Sequence, residues 1–186
     1  MKTTKKVAVF VGSLRKESYA LKIAKTLIAL APSELKLEVI EIGQLPLFNE
    51  DLETKPAPAP WTALRETLGE ADAVLFITPE YNRSVPAVLK NALDVASRPY
   101  GFNVFDGKPG AVISSSTGAP GGFGANHHLR QSLMFLNVPL MQQPEAYIGG
   151  ADKLFDEKGE MVQTSRDFLN KFMQAYSKWV STILGG

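Results

Sequence analysis

Hydroxyl and cationic side chains follow the first apolar segment of the chain. Residues 7–11 are apolar, Ser13, Arg15 and Ser18 come next, and apolar residues then recur at helical spacing. The N-terminus of a helix has backbone N–H groups without intrahelical partners and carries partial positive charge. An anion binds readily at such an end, and Arg15 adds a planar donor suited to phosphate oxygens. The pattern therefore predicts a phosphate-binding turn between a first strand and a first helix.

These residues also allow a structural interpretation of the same turn. Ser13 or Ser18 could serve only as the N-cap of the helix, and Arg15 could be a solvated surface residue. The turn matches neither the Walker A motif nor the glycine fingerprint of dinucleotide-binding folds, because Gly12 lacks the required neighbours. Both interpretations stay open from this segment alone.

A second polar segment, 79–83, follows a strongly apolar run. Tyr81 offers an aromatic edge, and Asn82 offers both a hydrogen-bond donor and an acceptor. Such groups suit a flat heteroaromatic ring with polar edges. Alternatively, Glu80 and Asn82 only form a turn and cap the next helix. The predicted ligand-binding residues of this segment are Pro79, Glu80, Tyr81 and Asn82, with Arg83 beside them.

A third segment combines hydroxyl residues with glycines. Four of the residues at 118–124 are glycine, so the backbone there can approach a ligand closely, although a turn with positive φ would explain them equally well. The predicted ligand-binding residues of this segment are Ser114, Ser115, Ser116, Thr117 and Gly118.

Apolar runs and helical patterns alternate along the chain, which predicts a parallel sheet covered by helices on both faces. Strands are predicted at 5–11, 35–42, 72–78 and 109–115, with a last strand that begins at 138–141, and helices at 17–31, 60–68, 85–96, 122–137 and 163–184. We expect an α/β protein with a flavodoxin-like, three-layer α/β/α sandwich and strand order 2-1-3-4-5. The three polar segments then lie at one edge of the sheet, where such folds bind ligands.

Bulk composition narrows the class of protein. The 186 residues favour a single domain over 1–186, and a net charge of +1 argues against a nucleic-acid binder. The chain has no cysteine, which excludes thiol nucleophiles, and its adjacent histidines do not make a metal pair. We expect no metal site. No apolar run is long enough to span a membrane, which favours a cytoplasmic protein.

Segments 12–18, 78–94, 107–109 and 128–131 resemble the NADPH-dependent FMN reductase family, in particular its quinone, azo-dye and chromate reductases. The resemblance extends over about residues 6–144, and the segment 78–94 is its most specific part. The chain departs from the family pattern at Tyr19 and Ala20, where the family often has Phe-Asn.

The resemblance implies a non-covalently bound FMN. Its phosphate would be held by Ser13, Arg15 and Ser18, with Tyr19 and Ala20 as further candidates. The flavin ring would be bordered by residues 79–82, and residues 114–118 would lie by the ring or the ribityl chain.

The family also implies a reaction. NADPH or NADH would pass a hydride to the flavin, and a quinone, with chromate and azo compounds as further acceptors, would take the electrons in a ping-pong cycle. The flavin carries this chemistry, so no catalytic side chain is expected. Asn82 and Arg83 are candidate substrate contacts, and Arg83 could bind the 2′-phosphate of NADPH or be merely solvated.

The resemblance further implies a homodimer or homotetramer. The connection 44–60, with Leu47 and Phe48, and the adjoining Trp61 would form either an apolar lip above the flavin or a subunit interface. A flavodoxin-type electron carrier without its own small-molecule substrate is the alternative function. A scaffold that keeps the fold without a cofactor is the second.

Overall fold

The computed structural model describes residues 4–54, 56–157 and 159–185. The remaining positions of the predicted domain 1–186, including residue 55 of the predicted 44–60 connection, lie outside the described residues. Within the described ranges, no helix is long and apolar enough to cross a membrane.

Five parallel strands form one sheet, in the order β2-β1-β3-β4-β5. The strands are β1 (Lys5–Val11), β2 (Leu35–Val39), β3 (Ala73–Pro79), β4 (Gly110–Ser115) and β5 (Tyr147–Ile148). The predicted strand order is confirmed. The carboxyl ends of β1, β3 and β4 are adjacent at one edge of the sheet, so the segments that follow them converge.

Helices cover both faces of this sheet. They are α1 (Tyr19–Leu30), α2 (Ala59–Gly69), α3 (Ala87–Ala96), α4 (Phe123–Phe135) and α5 (Gln163–Leu184), with short 3₁₀ turns at Glu50–Leu52 and Ala151–Lys153. One core forms between the sheet and the pair α1 and α5, and the other forms between the sheet and α2, α3 and α4. This arrangement is the three-layer sandwich predicted from the alternating patterns.

Aromatic packing fills both cores. Phe10 of β1 stacks on Phe76 of β3 with ring centroids 4.8 Å apart, and Phe105 packs against both rings. On the other face, Phe172 and Tyr176 of α5 are fully buried. Both side chains lie on the face of α5 that packs into the core between this helix and the sheet.

The predicted fifth strand is displaced along the chain. Only Leu140 of the predicted segment 138–141 bridges to β4, at Gly110, and the pairing resumes at Tyr147–Ile148. The intervening segment contains Pro144, which has no backbone N–H for a strand ladder. The predicted start of the last strand at 138–141 is thus an isolated bridge, and the strand itself lies further along the chain.

The predicted apolar lip is not formed by Trp61. Its side chain is fully buried, its Nε1 donates to the carbonyl of Pro46 at 3.0 Å, and Phe48 stacks on it at 5.5 Å. The backbone of Phe48 also donates to Oδ1 of Asn91 in α3 at 2.8 Å. The connection is thus packed onto α2 and α3, and of its predicted apolar side chains only Leu47 is well exposed.

Candidate functional site

Close packing at the end of β1 brings the first two polar segments together. The Gly12 N–H donates to the carbonyl of Ile77 at 2.9 Å, which continues the β1–β3 ladder into the turn. A Cβ at Gly12 would lie 3.1 Å from Cδ of Pro79. A side chain at this position would therefore push the turn after β1 away from the segment after β3.

The turn after β1 makes use of its own hydroxyl groups. Ser18 is the N-cap of α1, and its Oγ accepts a hydrogen bond from the Leu21 N–H at 3.3 Å. The structural interpretation of Ser18 is thus observed, but its hydroxyl proton remains available to a ligand. Ser13 Oγ accepts from the Arg15 N–H at 3.4 Å. In the part of the chain that the structure describes, the guanidinium of Arg15 forms no ion pair.

A tight turn follows β3. Tyr81 and Ser84 exchange two backbone hydrogen bonds, of 3.1 and 2.9 Å, and the two residues between them have positive φ, 49° at Asn82 and 65° at Arg83. This is the pattern of a type I′ turn, which normally carries Asn or Gly at both central positions. Arg83 is thus held in a conformation that costs a non-glycine residue roughly 1–2 kcal/mol. The turn leaves the side chain of Tyr81 half exposed.

The carboxylate of Glu80 faces two partners. Oε2 accepts the N–H of Ala125 in α4 at 3.0 Å, and Oε1 accepts Nη1 of Arg83 at 3.0 Å. The Glu80 side chain is only 9% exposed. The alternative in which Glu80 caps the next helix, α3, is therefore wrong, because its carboxylate binds the N-terminus of α4.

The segment after β4 is tied to the segment after β5. The Ser116 N–H donates to the carbonyl of Ile148, and the Ala151 N–H donates to the carbonyl of Ser116, both at 3.0 Å. Gly121 has φ +61°, and a Cβ there would lie 2.5 Å from the carbonyl carbon of Tyr147. The glycines thus serve close backbone packing as well as turn geometry.

The three segments line one cavity of about 200 Å³. Its lining residues are Ser13, Arg15, Ser18, Tyr19, Ala20, Pro79, Glu80, Tyr81, Ser115, Ser116, Thr117 and Ala151. Eleven of these twelve were predicted from sequence, and Ala151 was not. The preceding Gly149-Gly150 pair was the one local sign in the sequence that the backbone near Ala151 closely approaches another segment.

The other predicted site residues do not line this cavity. Asn82, Arg83 and Gly118 lie in exposed turns beside it, whereas Ser114 is fully buried. Ser114 Oγ accepts a hydrogen bond from Nδ2 of Asn126 at 3.2 Å, and Oδ1 of Asn126 accepts from Nε of Arg130 at 2.9 Å. The Ser114 side chain therefore supports the end of β4 from α4.

An aromatic cluster lies on the outer side of the third segment. His127 Nε2 is 3.0 Å from the hydroxyl of Tyr147, which donates to Oε1 of Glu145 at 2.9 Å. Burial raises the pKa of Tyr147, and the hydrogen bond to Glu145 and its negative charge raise it further. The phenol consequently stays protonated well into the alkaline range. Among the described residues, no cluster of metal-binding side chains occurs.

Residues 5–153 match the model of the NADPH-dependent FMN reductase family. The chain belongs to this family. The resemblance stated from the three polar segments is thereby confirmed. FMN is the cofactor of this oxidoreductase, and reduced nicotinamide is its source of electrons.

Individual relatives cover nearly the whole chain. A quinone reductase from Pseudomonas putida is 59% identical over 174 residues, 94% of each chain. A 2-hydroxy-1,4-benzoquinone reductase from a Burkholderia species is 45% identical and covers 94% of this chain and 96% of its own. Among solved structures, the flavoenzyme NAD(P)H:(acceptor) oxidoreductase FerB from Paracoccus denitrificans is 41% identical, with a TM-score of 0.90 over 96% of this chain and 98% of that one.

Proposed function

We propose that this chain is an FMN-dependent NAD(P)H:quinone oxidoreductase. The observation that carries the proposal is the convergence of the segments after β1, β3 and β4 on one cavity, with the α1 N-terminus and Arg15 at one end. Two relatives named as reductases of quinones support the choice of acceptor. Chromate and azo compounds remain predictions as further electron acceptors.

The donors present fit the two ends of FMN. At one end the α1 N-terminus, the Ser13 and Ser18 hydroxyls and Arg15 would hold the phosphate dianion, which helix N–H groups and a guanidinium both favour. The other end is the segment after β3. There Pro79 and Tyr81 offer apolar and aromatic surface to the ring system. The backbone of Ser115–Thr117, in the segment after β4, would supply polar contacts to the ring edge or the ribityl chain.

When bound, FMN supplies the redox chemistry, taking a hydride from the nicotinamide and passing electrons to the acceptor in a ping-pong cycle. The role of the chain is to bind the FMN and to orient it. The buried ends of β1, β3 and β4 form the rigid floor, and the exposed turn at Tyr81 leaves room above it for a flat donor or acceptor. No side chain of the cavity is required to transfer a proton.

Arg83 is the proposed contact for the 2′-phosphate of NADPH, with Asn82 beside it. The side chain of Arg83 is 79% exposed, and its one ion pair among the described residues is with Glu80. A guanidinium at this exposed position can exchange one anionic partner for another. Arg83→Ala should then raise the KM for NADPH several-fold more than it raises the KM for NADH. Equal KM values for NADPH before and after the change would remove Arg83 from the nucleotide site.

We propose that the active form is a homodimer or homotetramer. Four large apolar side chains are exposed at the end of α4 and on the nearby segment 98–103: Tyr100, Phe102, Met134 and Phe135. These two segments are joined by the hydrogen bond from Nδ2 of Asn103 to the carbonyl of Leu136 at 2.7 Å. Large apolar side chains exposed on two joined segments are typical of a protein interface. Phe135→Glu should lower the molar mass measured by light scattering, and an unchanged mass would exclude this patch.

The deciding experiment is anaerobic mixing of the purified protein with FMN and then with NADPH or NADH. The flavin absorbance should bleach with one or both nicotinamides and return when a benzoquinone is added. A protein that binds FMN but is not reduced by either nicotinamide would instead support the electron-carrier alternative.

Because reduced nicotinamides are supplied in the cytoplasm, the proposal includes a cytoplasmic location.

A further inference from the structure

We propose that Glu80 is a positioning residue that couples the Tyr81–Ser84 turn to the N-terminus of α4. The inference rests on the proposed function only for the identity of the ligand that the turn serves. The Glu80 side chain is nearly buried, and each of its two oxygens has a partner within the chain, the Ala125 N–H and the Arg83 guanidinium. The carboxylate thus contacts α4 and the turn at once.

Helix α4 depends on a cap from elsewhere in the chain. Its N-cap residue is Gly122, which is in the left-handed conformation and has no side chain to accept a hydrogen bond from the first turn. Ala125 is the third residue of the helix, the position whose N–H an N-cap side chain usually binds. Glu80, 45 residues earlier, supplies this acceptor and places a negative charge at the positive end of the helix.

The turn and the helix also approach each other closely at Gly124. A Cβ there would lie 2.8 Å from the carbonyl oxygen of Arg83 and 2.9 Å from Oε2 of Glu80. A further contact joins the same two elements, because Ser84 Oγ lies 3.0 Å from Nδ1 of His128. The absence of a side chain at Gly124 therefore allows the carboxylate to reach the helix.

The strained backbone of the turn needs such support. Asn82 and Arg83 both have positive φ without being glycine, and residues of this kind persist only where their surroundings determine them. The ion pair with Glu80 holds Arg83 from the side of the cavity. Tyr81 directly precedes these two residues and lines the cavity. The Glu80 carboxylate therefore determines the position of the Tyr81 side chain in the cavity lining.

Hydrogen exchange in the protein without FMN tests the coupling directly. In Glu80→Ala the amides of Tyr81, Ser84 and Ala125 should exchange at least about tenfold faster, because their local opening becomes easier. Glu80→Gln keeps an oxygen for the Ala125 N–H and should restore most of the protection of that amide. Glu70→Gln, at an exposed carboxylate paired with Lys6, is the matched control and should leave all three rates unchanged.

FMN titration then tests the consequence for the site. Glu80→Ala should weaken FMN binding about tenfold and alter the visible spectrum of the bound flavin, with partial recovery in Glu80→Gln, which keeps the Ala125 contact but not the ion pair with Arg83. Gly124→Ala should weaken binding at least about threefold although alanine favours the helix. If Glu80→Ala does not fold, these two variants decide the question.

Two results would overturn the proposal. Unchanged exchange at Tyr81 and Ser84 would exclude the coupling, and faster exchange with unchanged FMN affinity and spectrum would exclude a role in the site. If the unmodified protein does not bind FMN, the proposed function fails, and the exchange rates still decide whether Glu80 couples the turn to α4.

Discussion

Arg65 and Glu53 form a double hydrogen bond, Nη1 to Oε1 and Nη2 to Oε2, each 2.7 Å long. Both side chains are only 15% exposed, and Nε of Arg65 also donates to the carbonyl of Val95 at 3.0 Å. The pair therefore joins the end of the 3₁₀ turn at Glu50–Leu52 to α2 and to α3. It anchors the connection 44–60, whose Phe48 packs against Trp61 of α2.

Loss of one partner of this pair should destabilise the fold. Glu53→Gln leaves a largely buried guanidinium without its counter-charge, and we expect the free energy of unfolding to fall by about 2 kcal/mol. Glu38→Gln, which breaks the exposed pair with Lys36, is the control and should leave the free energy of unfolding nearly unchanged, because exposed ion pairs contribute little. Urea denaturation measures both. Equal effects would show that burial of the Arg65 pair has no energetic importance.

Arg15 should dominate the charge-dependent part of FMN binding. A charged hydrogen bond contributes roughly 1.5–3 kcal/mol, so Arg15→Ala should weaken binding about ten- to a hundredfold. Lys16→Ala removes the same charge one residue further along, outside the cavity lining, and should change the affinity less than about threefold. Fluorescence titration of FMN measures the two constants. Similar losses in both variants would indicate general attraction by charge.

Alanine substitutions at two glycines distinguish the cost of a steric clash from the cost of positive φ. Gly121 and Gly150 have nearly the same φ, +61° and +59°, but a Cβ meets the Tyr147 backbone at Gly121 and nothing within 4 Å at Gly150. Gly150→Ala should cost about 1 kcal/mol of unfolding free energy, from φ alone. Gly121→Ala should cost about 2 kcal/mol more, because the backbone must shift. Thermal denaturation compares them, and equal losses would contradict the close approach.

Tyr176 should make the stability fall in alkaline solution. Its hydroxyl donates to the carbonyl of Val74 at 2.9 Å, and burial raises its pKa far above the usual value of 10. Because the folded state keeps the proton that the unfolded state loses, this contribution is complete below pH 10 and declines above it. Tyr176→Phe should cost about 1 kcal/mol at pH 8, and the difference should shrink by about that amount by pH 10.5.

Urea denaturation at the two pH values measures the change. Tyr100→Phe is the control, because the Tyr100 side chain is 90% exposed. A difference between Tyr176→Phe and the unmodified protein that stays constant up to pH 10.5 would contradict the assigned cause.

The sheet order and the lining of the cavity could be predicted because both follow from local patterns. Alternation of apolar runs and helical spacings predicts a parallel sheet, and the carboxyl ends of its strands then place Ser13, Tyr81 and Ser115 together. Ala151 could not be found in this way. Its place in the lining depends on a backbone hydrogen bond to Ser116, and its methyl side chain gives no sign of that role in the sequence.

Tertiary partners explain the remaining differences. Ser114 occurs in a hydroxyl-rich segment that predicts a ligand contact, but its side chain points to Asn126 in the core. Trp61 was expected at an apolar lip or a subunit interface and is instead buried, with its indole N–H donating to the carbonyl of Pro46. In both cases the outcome depended on a partner residue that no local pattern identifies.

The brevity of β5 has a consequence for behaviour at high concentration. With only Tyr147 and Ile148 in the ladder, this margin of the sheet offers almost no row of free amides and carbonyls for another molecule to extend. The opposite margin, β2, carries the charged residues Lys36 and Glu38. Growth of the sheet from chain to chain into fibrils is therefore disfavoured at both margins.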